Sequence, residues 1–581
     1  MGAMGEMKDG KNAILNDFIE PVKKAGKGGR LPGLYNLYVY FWRWALWKVF
    51  EHPFGQSGGI VSFITASSFI TGDAFLGMRQ KMRELCDEIW VIDLGGDGRG
   101  TQQDDNVFAI QTPVAITIAI RYKQTQPTIP SQVHYTRIEG SKSEKLTSLS
   151  KLNALSDLTF NKCPTDWAAP FLPAVSSSIY FSCPKLSDLM PWQQSGCKFE
   201  RSWPIACSES LLLDRWSGFL TSDDRAIALK ENRDRKINSK TADLFTGERL
   251  MPLAELDLDE PLPNLKAYGF RSFDRHFAIA DSRVGSYLRP VLWKIQSSEQ
   301  WHFISPSDEV ITVGPAMTVS TNIPDLHYFN GRGAKDVIPL YRDDGAIAAN
   351  IHPELLTVLS TKMEIEISPV DWACYLYGVM AHAGYTAIFK DELTSKDVRV
   401  PMTLERKLFQ QAVTFGKALL HLHSYGERFA TEFPRLTGTA KCRRAVPSNE
   451  STDSFNFDVE RNILSVGDGE FGPISQGIWD FEVSGLKVLQ SWLGYRMARR
   501  SGKKSSPLDD IGLTEWTSEL TSELLRLLWI LEKTLDLYPK QAELLNEILE
   551  GDMLLDGALG EVPEPYKRGP KLSGYQVELE L

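Results

Sequence analysis

The sequence predicts an α/β sheet near the N-terminus, followed by a region of mixed strands and helices and then by mainly helical segments. Apolar stretches rich in β-branched residues lie at residues 58–70 and 89–94, and both are typical of buried strands. Between them, residues 75–89 place apolar side chains at helical spacing. Helices that alternate with hydrophobic strands indicate an α/β sheet.

Residues 35–50, "YNLYVYFWRWALWKVF", predict a helix that is apolar nearly all round. A helix of this kind packs on more than one side, so we expect it to be buried. It is too short and, with Arg43 and Lys48, too charged to cross a bilayer, so we expect no membrane partner.

Residues 106–122, "NVFAIQTPVAITIAIRY", complete the predicted sheet. They read as two strand-like pieces that bend at Pro113, and we expect these pieces to form an antiparallel hairpin at the end of the sheet.

The remaining chain changes character at several points. A Pro- and Ser-rich connector follows the sheet and contains a basic cluster, and two Leu-rich segments at residues 513–538 and 539–551 predict an antiparallel helix pair. The predicted regions are 1–122 (α/β), 123–264 (connector with basic cluster), 265–445 (mixed α+β) and 446–581 (helical). The basic cluster contains Arg225, Lys230, Arg233, Arg235, Lys236 and Lys240.

Composition and charge exclude several classes of protein. A hydrophobic content of 43% and a charged content of 24% are those of a folded chain. The net charge of -10 argues against nucleic-acid binding through bulk charge, although a local basic stripe can still bind. The seven cysteines have no C-x-x-C spacing, which indicates reduced, mostly buried thiols, and the N-terminus lacks the apolar core of a signal peptide. We therefore expect a cytoplasmic protein.

The run "IWVIDLGGDGRGT" at residues 89–101 resembles a nucleotide-binding turn, because a strand leads into four glycines. A dinucleotide fingerprint also needs a helix that begins on the glycines and faces the phosphates. Here a polar loop with Asp104 and Asp105 follows, and then a strand. We therefore interpret the run as a loop between two strands at a sheet edge.

Other catalytic and metal-binding patterns are missing from the sequence. His421 and His423 have no third ligand at helical spacing, so hydrogen-bonded histidines are the better interpretation. There is no G-x-S-x-G motif and no nuclease-type carboxylate pattern. The sequence predicts no catalytic residue, no cofactor-binding residue and no metal ligand.

Two arginine-rich stretches are candidates for nucleic-acid contact. The stretch "YRMARRSGKKSS" places five cations beside Trp492 and Tyr495, which suits phosphate neutralisation and a solvated helix end equally well. In "FRSFDRHF", Arg271 and Arg275 flank Asp274, a spacing that is equally suited to an internal ion pair.

The order of segments resembles a known family. The stretches "GGIVSFITASSFITGDAFLGMRQKMRELCDEIWVIDLGGDGRG" and "NVFAIQTPVAITIAIR" look like the end of an adenine-specific DNA methyltransferase domain of the single-chain type ISP restriction–modification enzymes. Later stretches, among them "KFERSWPIA", "GFRSFDRHFAIAD", "DWACYLYGVMAHAGY" and "GPISQGIWDFEVSGLKVLQSWLGYR", are similar to the target-recognition region of that family. The resemblance implies a partial Rossmann-like methyltransferase sheet, double-stranded DNA as partner and S-adenosylmethionine as the methyl donor.

The sequence departs from this family pattern in two motifs. The Gly-rich turn that holds S-adenosylmethionine and the Asn/Asp-Pro-Pro-Tyr/Phe motif that binds an extruded adenine do not occur. We therefore expect this chain to supply DNA target recognition for an adenine-N6 methyltransferase, while a separate chain carrying the missing half supplies the chemistry. The alternatives are a non-catalytic DNA-binding subunit or an inactive truncated remnant.

The resemblance and the basic stretches together predict a set of contact residues. Phe108 is a candidate wall of the base pocket, with a core phenylalanine as the competing interpretation. The predicted DNA contacts are Arg271, Arg275, Arg332, Arg496, Arg499, Arg500 and Lys503.

Overall fold

A computed structural model describes residues 15–25, 31, 33–52, 58–96, 105–108, 110, 112–122, 129–173, 179–305, 311, 313–329, 336–390, 392–395, 397–447, 452–498, 502 and 504–571. The chain forms two compact units, Met1–Ser176 (unit 1) and Ser177–Leu581 (unit 2). Both contain helices and strands, so the predicted mixture of α and β structure is confirmed.

Unit 1 contains one five-stranded sheet with helices. Its elements are α1 (Asn16–Lys24), α2 (Leu37–Leu46), β1 (Gly59–Ala66), α3 (Leu76–Leu85), β2 (Glu88–Asp93), β3 (Val114–Arg121), β4 (Gln132–Arg137), α4 (Lys142–Ser150) and β5 (Asn161–Lys162). The strand order is β1-β3-β2-β4-β5. Strand β3 is antiparallel to both β1 and β2, so β1 and β2 run parallel to each other with β3 between them.

The predicted hairpin within residues 106–122 is wrong. Among the described residues of this stretch only β3 forms a strand, and those between 105 and 113 are bends and irregular backbone. Pro113 has no N–H to donate and ends the strand, and its carbonyl instead accepts the Ser67 N–H at 2.9 Å. The antiparallel partners of β3 are therefore distant strands rather than its own neighbouring residues.

Helix α2 forms as predicted but is only partly buried. Val39, Trp42 and Leu46 are fully buried. On another side Leu37, Phe41 and Trp44 keep 54%, 60% and 51% of their surface exposed, and Trp47 extends this stripe just after the helix. The expectation that the helix is buried therefore holds for the side that carries Val39, Trp42 and Leu46 and is wrong for this stripe.

Within the part of the chain that the structure describes, unit 2 contains four sheets and most of the helices. In chain order its first elements are α5 (Ile179–Ser182), α6 (Leu186–Leu189), β6 (Ile205–Ala206), α7 (Glu209–Leu220), α8 (Arg225–Leu229), β7 (Leu265–Arg271), β8 (Asp274–Ile279), α9 (Pro290–Lys294), β9 (His302–Ser305), β10 (Thr318–Ser320), β11 (Ile323–Pro324) and β12 (Asp336–Pro339). The next are α10 (Leu355–Met363), α11 (Pro369–Met380), α12 (Ala383–Ile388), α13 (Arg406–His423), β13 (Lys441–Arg444), β14 (Phe455–Asp458), β15 (Ile463–Val466) and β16 (Gly469–Gly472). The last are α14 (Gln476–Trp479), β17 (Glu482–Val483), β18 (Leu486–Lys487), α15 (Val488–Gly494), α16 (Ser518–Glu550) and α17 (Glu564–Lys567).

The predicted pair of C-terminal helices is one helix, α16, of 33 residues that contains Pro539. Leu524, Leu528 and Leu531 belong to one hydrophobic cluster of unit 2, whereas Leu544 and Ile548 belong to another. Packing at both ends outweighs the cost of about 3 kcal/mol that a proline imposes inside a helix. The expectation of a turn at Pro539 is therefore wrong.

Two glycines allow α11 and α13 to pack closely. A Cβ at Gly416 would lie 1.8 Å from the Cys374 carbonyl oxygen, and a Cβ at Gly378 would lie 2.2 Å from the Ala412 carbonyl oxygen. Only glycine fits at such backbone separations. None of the helices among the described residues is long and apolar enough to span a membrane.

Candidate nucleic-acid interface

Strands β7 and β8 form a hairpin that carries two of the predicted DNA contacts. The turn between them contains Phe273, whose φ of 60° lies in the left-handed region. Arg271 ends the first strand and Arg275 lies near the start of the second. The turn therefore brings both arginines to one end of the hairpin, as the sequence spacing suggests.

Arg271 is engaged in internal contacts. Its side chain is 15% exposed, and its Nη1 lies 3.4 Å from Asp325 Oδ1. Its Nη2 donates to the Tyr495 hydroxyl at 3.3 Å, and its guanidinium lies 4.0 Å from the centre of the Phe270 ring. Asp325 also accepts a hydrogen bond of 2.8 Å from the Tyr268 hydroxyl. Arg271 therefore holds the hairpin against its neighbours.

Arg275 is more accessible than Arg271. Its Nη1 lies 2.5 Å from Glu427 Oε1, and its guanidinium lies 4.3 Å from the centre of the Tyr425 ring. About a third of the side chain remains exposed. It can contact a ligand, but only in competition with Glu427.

Arg496 is completely buried. Its Nη2 donates to Asp274 Oδ1 at 2.9 Å and lies 3.7 Å from Glu523, while the guanidinium stacks 3.8 Å from the centre of the Trp492 ring. Burial alone would raise the pKa of Asp274, but the charges of Arg496 and His276 outweigh it and lower that pKa to about 2. This placement favours an internal ion pair over contact between Arg496 and DNA.

The other predicted contacts fall into two groups. Arg332, Arg499, Arg500 and Lys503 lie outside the described residues. Phe108 is 47% exposed, and its backbone N–H donates to Asn106 Oδ1 at 2.9 Å. The competing interpretation of Phe108 as a core residue is therefore wrong, and its role in a base pocket stays a prediction.

The basic cluster at residues 225–240 is also partly internal. Arg235 is buried and donates to the backbone carbonyls of Ser282 and Gly285 at 2.8 and 3.0 Å. Arg225 donates to the Leu256 carbonyl at 2.8 Å. These guanidinium groups donate hydrogen bonds to carbonyls of neighbouring loops, so both arginines are less available to a ligand at the surface.

A groove of about 620 Å³ lies along β7 and was not predicted. Trp293 and Ile323 are buried residues that line it, while Lys266 and Asn322 present polar groups to it. Asn322 also lines a smaller pocket that contains Arg271 and Arg275, so the groove continues towards the hairpin.

A second depression, of about 320 Å³, extends the groove and shares Phe245 and Lys266 with it. Arg249 and Asn264 line this part and are exposed. The Lys266 ammonium lies 5.4 Å from the centre of the Phe245 ring. We call the two depressions together the β7 groove.

The β7 groove combines the side-chain types that nucleic acids need. Ammonium and guanidinium groups neutralise phosphates, and asparagine amides can pair with base edges. Asp243, Glu248 and Asp344 also line the groove, but among the described residues neither Lys266 nor Arg249 pairs with a carboxylate within 4 Å. Sequence reasoning missed the groove because its residues come from separate loops and strands between 243 and 344 and form no local motif.

The two histidines singled out in the sequence are hydrogen-bonded inside unit 2, as predicted. His423 contacts the Tyr377 hydroxyl at 2.6 Å through Nδ1 and the Thr534 hydroxyl at 2.9 Å through Nε2. Burial lowers the pKa of His423 to about 3, so the ring is neutral at pH 7. His421 Nδ1 lies 2.8 Å from the Arg428 carbonyl oxygen. The described residues contain no cluster that could hold a metal ion.

The glycine-rich run after β2 does not form an open cradle in its described part. The Gly95 N–H donates to Asp93 Oδ1 at 2.9 Å, and the Asn106 amide donates to the Gly96 carbonyl at 2.9 Å. A Cβ at Gly96 would lie 2.6 Å from the Asn106 amide nitrogen, so that amide fills the adjacent space. Gly98 and Gly100 lie outside the described residues. The described turn therefore does not fit a phosphate or an S-adenosylmethionine molecule.

Comparison with protein families identifies unit 2. Residues 188–527 match the model of the "Type ISP C-terminal specificity domain", which covers more than half of the chain and includes the hairpin and the β7 groove. The chain belongs to the type ISP family. The resemblance predicted from the order of segments is thereby confirmed.

Three solved structures have a similar fold. One is a cryoEM structure of a DrdV–DNA complex (16% identity, TM-score 0.60), which aligns over 88% of this chain and 52% of that chain. The second is the ATP-dependent type ISP restriction–modification enzyme LlaBIII bound to DNA (16% identity, TM-score 0.64), over 92% of this chain and 36% of that chain. The third is a nuclease-deletion mutant of the type ISP enzyme LlaGI with a DNA substrate mimic (15% identity, TM-score 0.64), over 93% and 42%.

These alignments show the extent of the match. The chain spans between about a third and a half of the length of these three proteins, and they support the fold alone. No curated protein matches the chain.

Proposed function

We propose that unit 2 recognises the DNA target of a type ISP restriction–modification enzyme. The observation that carries the proposal is the β7 groove, which lies within the matched specificity domain and places Lys266, Arg249 and Asn322 along two adjoining depressions. The three similar structures contain DNA or a DNA substrate mimic, which supports the same partner. In this proposal the amides read base edges and the cations bind phosphates.

Selection from a random duplex library, followed by sequencing of the bound fraction, tests this proposal. The unmodified chain should enrich one sequence motif. Asn322→Ala should relax the preference at one or two positions, because a lost base contact removes about 1–3 kcal/mol of discrimination. Lys266→Ala should weaken binding to all sequences evenly, and Lys362→Ala, an exposed lysine on α10, is the control. Absence of any enriched motif would refute target recognition.

We also propose that unit 1 is the end of a Rossmann-like methyltransferase sheet that serves adenine-N6 methylation. Parallel strands β1 and β2 connected through α3 support this assignment. In this proposal the glycine turn after β2 holds no S-adenosylmethionine, because the Asn106 amide fills the space beside Gly96. The methyl donor and the catalytic motif would be held by polypeptide outside these 581 residues.

The open side of the unit 1 sheet supports contact with the polypeptide that would hold the methyl donor. β1 is an edge strand among the described residues, and its Ile60 and Ile64 are exposed, as is the α2 stripe that includes Phe41 and Trp44. Exposed strand edges and contiguous apolar surfaces are usually covered by another segment.

Titration of S-adenosylmethionine into the purified chain, followed by calorimetry, tests where the cofactor binds. We expect no heat of binding. A dissociation constant in the micromolar range would contradict the view that the cofactor site lies outside this chain. Such a result would leave the DNA-recognition proposal to be judged by the library selection alone.

A further inference from the structure

A second basic surface lies on β13, the edge strand of the four-stranded sheet with the order β13-β16-β15-β14. In "KCRR", Lys441, Arg443 and Arg444 are all exposed, while Cys442 is half-buried. We call these three cations the β13 strip. Neither the sequence motifs nor the β7 groove accounts for it.

A β-bulge explains how neighbouring arginines both reach the surface. Cys442 pairs with Phe471 and Arg444 pairs with Glu470, so Arg443 is the extra residue between two successive pairs. In a regular strand, adjacent side chains point to opposite faces, whereas a bulge redirects one of them. The bulge therefore adds one cation to a surface that regular pairing would leave with two.

The strip is firmly anchored at both ends. The Trp529 indole of α16 donates to the Ala440 carbonyl at 2.8 Å, and Gly438 packs so closely that a Cβ there would lie 2.4 Å from the Trp529 ring. At the other end Val446 is buried and packs against Gly469. The cations between these anchors are thus presented from a fixed backbone, which lowers the entropy that a ligand must remove on binding.

The charges of the strip are mostly uncompensated. Arg444 lies 2.9 Å from Glu470, but among the described residues Lys441 and Arg443 have no carboxylate within 4 Å. This contrasts with the chain as a whole, whose net charge is -10. A fixed group of cations on an acidic protein is complementary to a polyanion.

We infer that the β13 strip binds the phosphate backbone of duplex DNA, as a contact separate from the β7 groove. From Lys441 to Arg444 the strand spans about 10 Å, at roughly 3.3 Å per residue. Each DNA strand carries one phosphate per roughly 3.4 Å of helix axis, so the strip can face about three successive phosphates. Phosphate contacts carry no sequence information, so this contact positions the duplex without reading its sequence. The inference rests on the proposed DNA recognition by unit 2.

The competing interpretation is that the cations only protect an exposed edge strand from aggregation. The two interpretations differ in their salt dependence. Each phosphate contact contributes about -0.9 to the slope of log K against log salt concentration. Contact by the strip therefore predicts a slope that becomes shallower when its charges are removed, whereas edge protection predicts no change.

The test is fluorescence anisotropy with the full chain and a labelled random-sequence duplex over a series of salt concentrations. The variant is Lys441→Gln/Arg443→Gln/Arg444→Gln. Its slope should become shallower by about 2–3, with affinity lowered equally for all sequences, since each lost phosphate contact removes about 0.9. The matched control, Lys362→Gln/Arg406→Gln/Lys407→Gln, removes the same charge from exposed positions on α10 and α13 and should keep the slope.

Three outcomes would overturn the inference, and they are distinguishable. If the unmodified chain binds DNA but the strip variant keeps its slope, the strip is not a phosphate contact while target recognition stands. An equal change of slope in the control would show a general charge effect rather than a site. If the unmodified chain binds no duplex at low salt, the proposed function and this inference both fail. Light scattering of the variant measures any separate effect on aggregation.

Discussion

Replacement of Arg496 by methionine would remove the cation that Asp274 faces inside unit 2. Asp274 would keep the contact with His276, whose Nε2 lies 3.3 Å from Oδ1. Removal of one partner from a buried ion pair costs about 3–5 kcal/mol, because the remaining charge is uncompensated. Methionine preserves most of the apolar volume beside Trp492, so loss of packing contributes little.

The expected change in melting temperature follows from the size of unit 2. At roughly 2.1 cal/mol/K per residue, the unfolding entropy of the chain between Ser177 and Leu581 is about 0.85 kcal/mol/K. A loss of 3–5 kcal/mol then lowers the melting temperature of unit 2 by about 4–6 °C. Differential scanning calorimetry at pH 7 measures this shift.

A double variant and a binding assay complete this test. Arg496→Met/Asp274→Asn removes both charges of the buried pair and leaves only the half-exposed Glu523 without its partner, so it should recover more than half of the lost stability. At temperatures where the single variant is folded, its slope of log K against log salt for DNA should equal that of the unmodified chain. An unchanged melting temperature, together with a slope shallower by about 0.9, would show instead that Arg496 contacts a phosphate.

Three further predictions concern packing and pH. Gly416→Ala should separate α11 from α13 and destabilise unit 2 by about 3 kcal/mol or more, because the new Cβ would clash with the Cys374 carbonyl oxygen. The control variant Gly512→Ala creates no such clash and should change the melting temperature by less than about 1 °C. The folded-state pKa of His423 lies near 3, below the unfolded value of about 6.5, so the unfolded state protonates first and stability is lost as pH falls through this window. On acidification from pH 6 to pH 4, the free energy of unfolding of His423→Gln should therefore fall less than that of the unmodified chain, by a difference of about 1.36 kcal/mol per pH unit. Urea titrations at each pH measure this difference. Equal losses in the two proteins would contradict the assignment. Pro539→Ala restores a backbone donor within α16 and should raise the melting temperature, by a stabilisation of about 1–3 kcal/mol; a decrease would show that neighbouring side chains are packed around the proline ring.

Local sequence patterns predicted individual helices and strands better than they predicted which strands pair and which helices pack together. The apolar run at residues 35–50 and the helical spacing of residues 75–89 both correspond to helices, because these patterns depend on spacing along the chain. The predicted hairpin failed because the partners of β3 are distant in sequence. The single helix α16 likewise depends on two hydrophobic clusters built from residues far from Pro539.

Arginines show most clearly why the predicted contact residues were difficult to assign. The spacing of Arg271, Asp274 and Arg275 left an ion pair and a DNA contact equally open, and the structure places Asp274 against a different arginine, Arg496. Arg235 is used to satisfy carbonyls that belong to other loops. A sequence records the charge of a guanidinium but not the distant backbone groups that it binds. The β7 groove was missed for the related reason that its lining comes from separate segments.

The length of α16 has a consequence for how unit 2 unfolds. At about 1.5 Å per residue, its 33 residues form a rod roughly 50 Å long whose two halves are embedded in different cores. Chains of this size commonly divide into parts that melt separately. Here unfolding of one core removes packing contacts from α16, and the other core packs on the same helix. Heat should therefore disrupt both cores in a single calorimetric transition, with the helix acting as a mechanical strut between them.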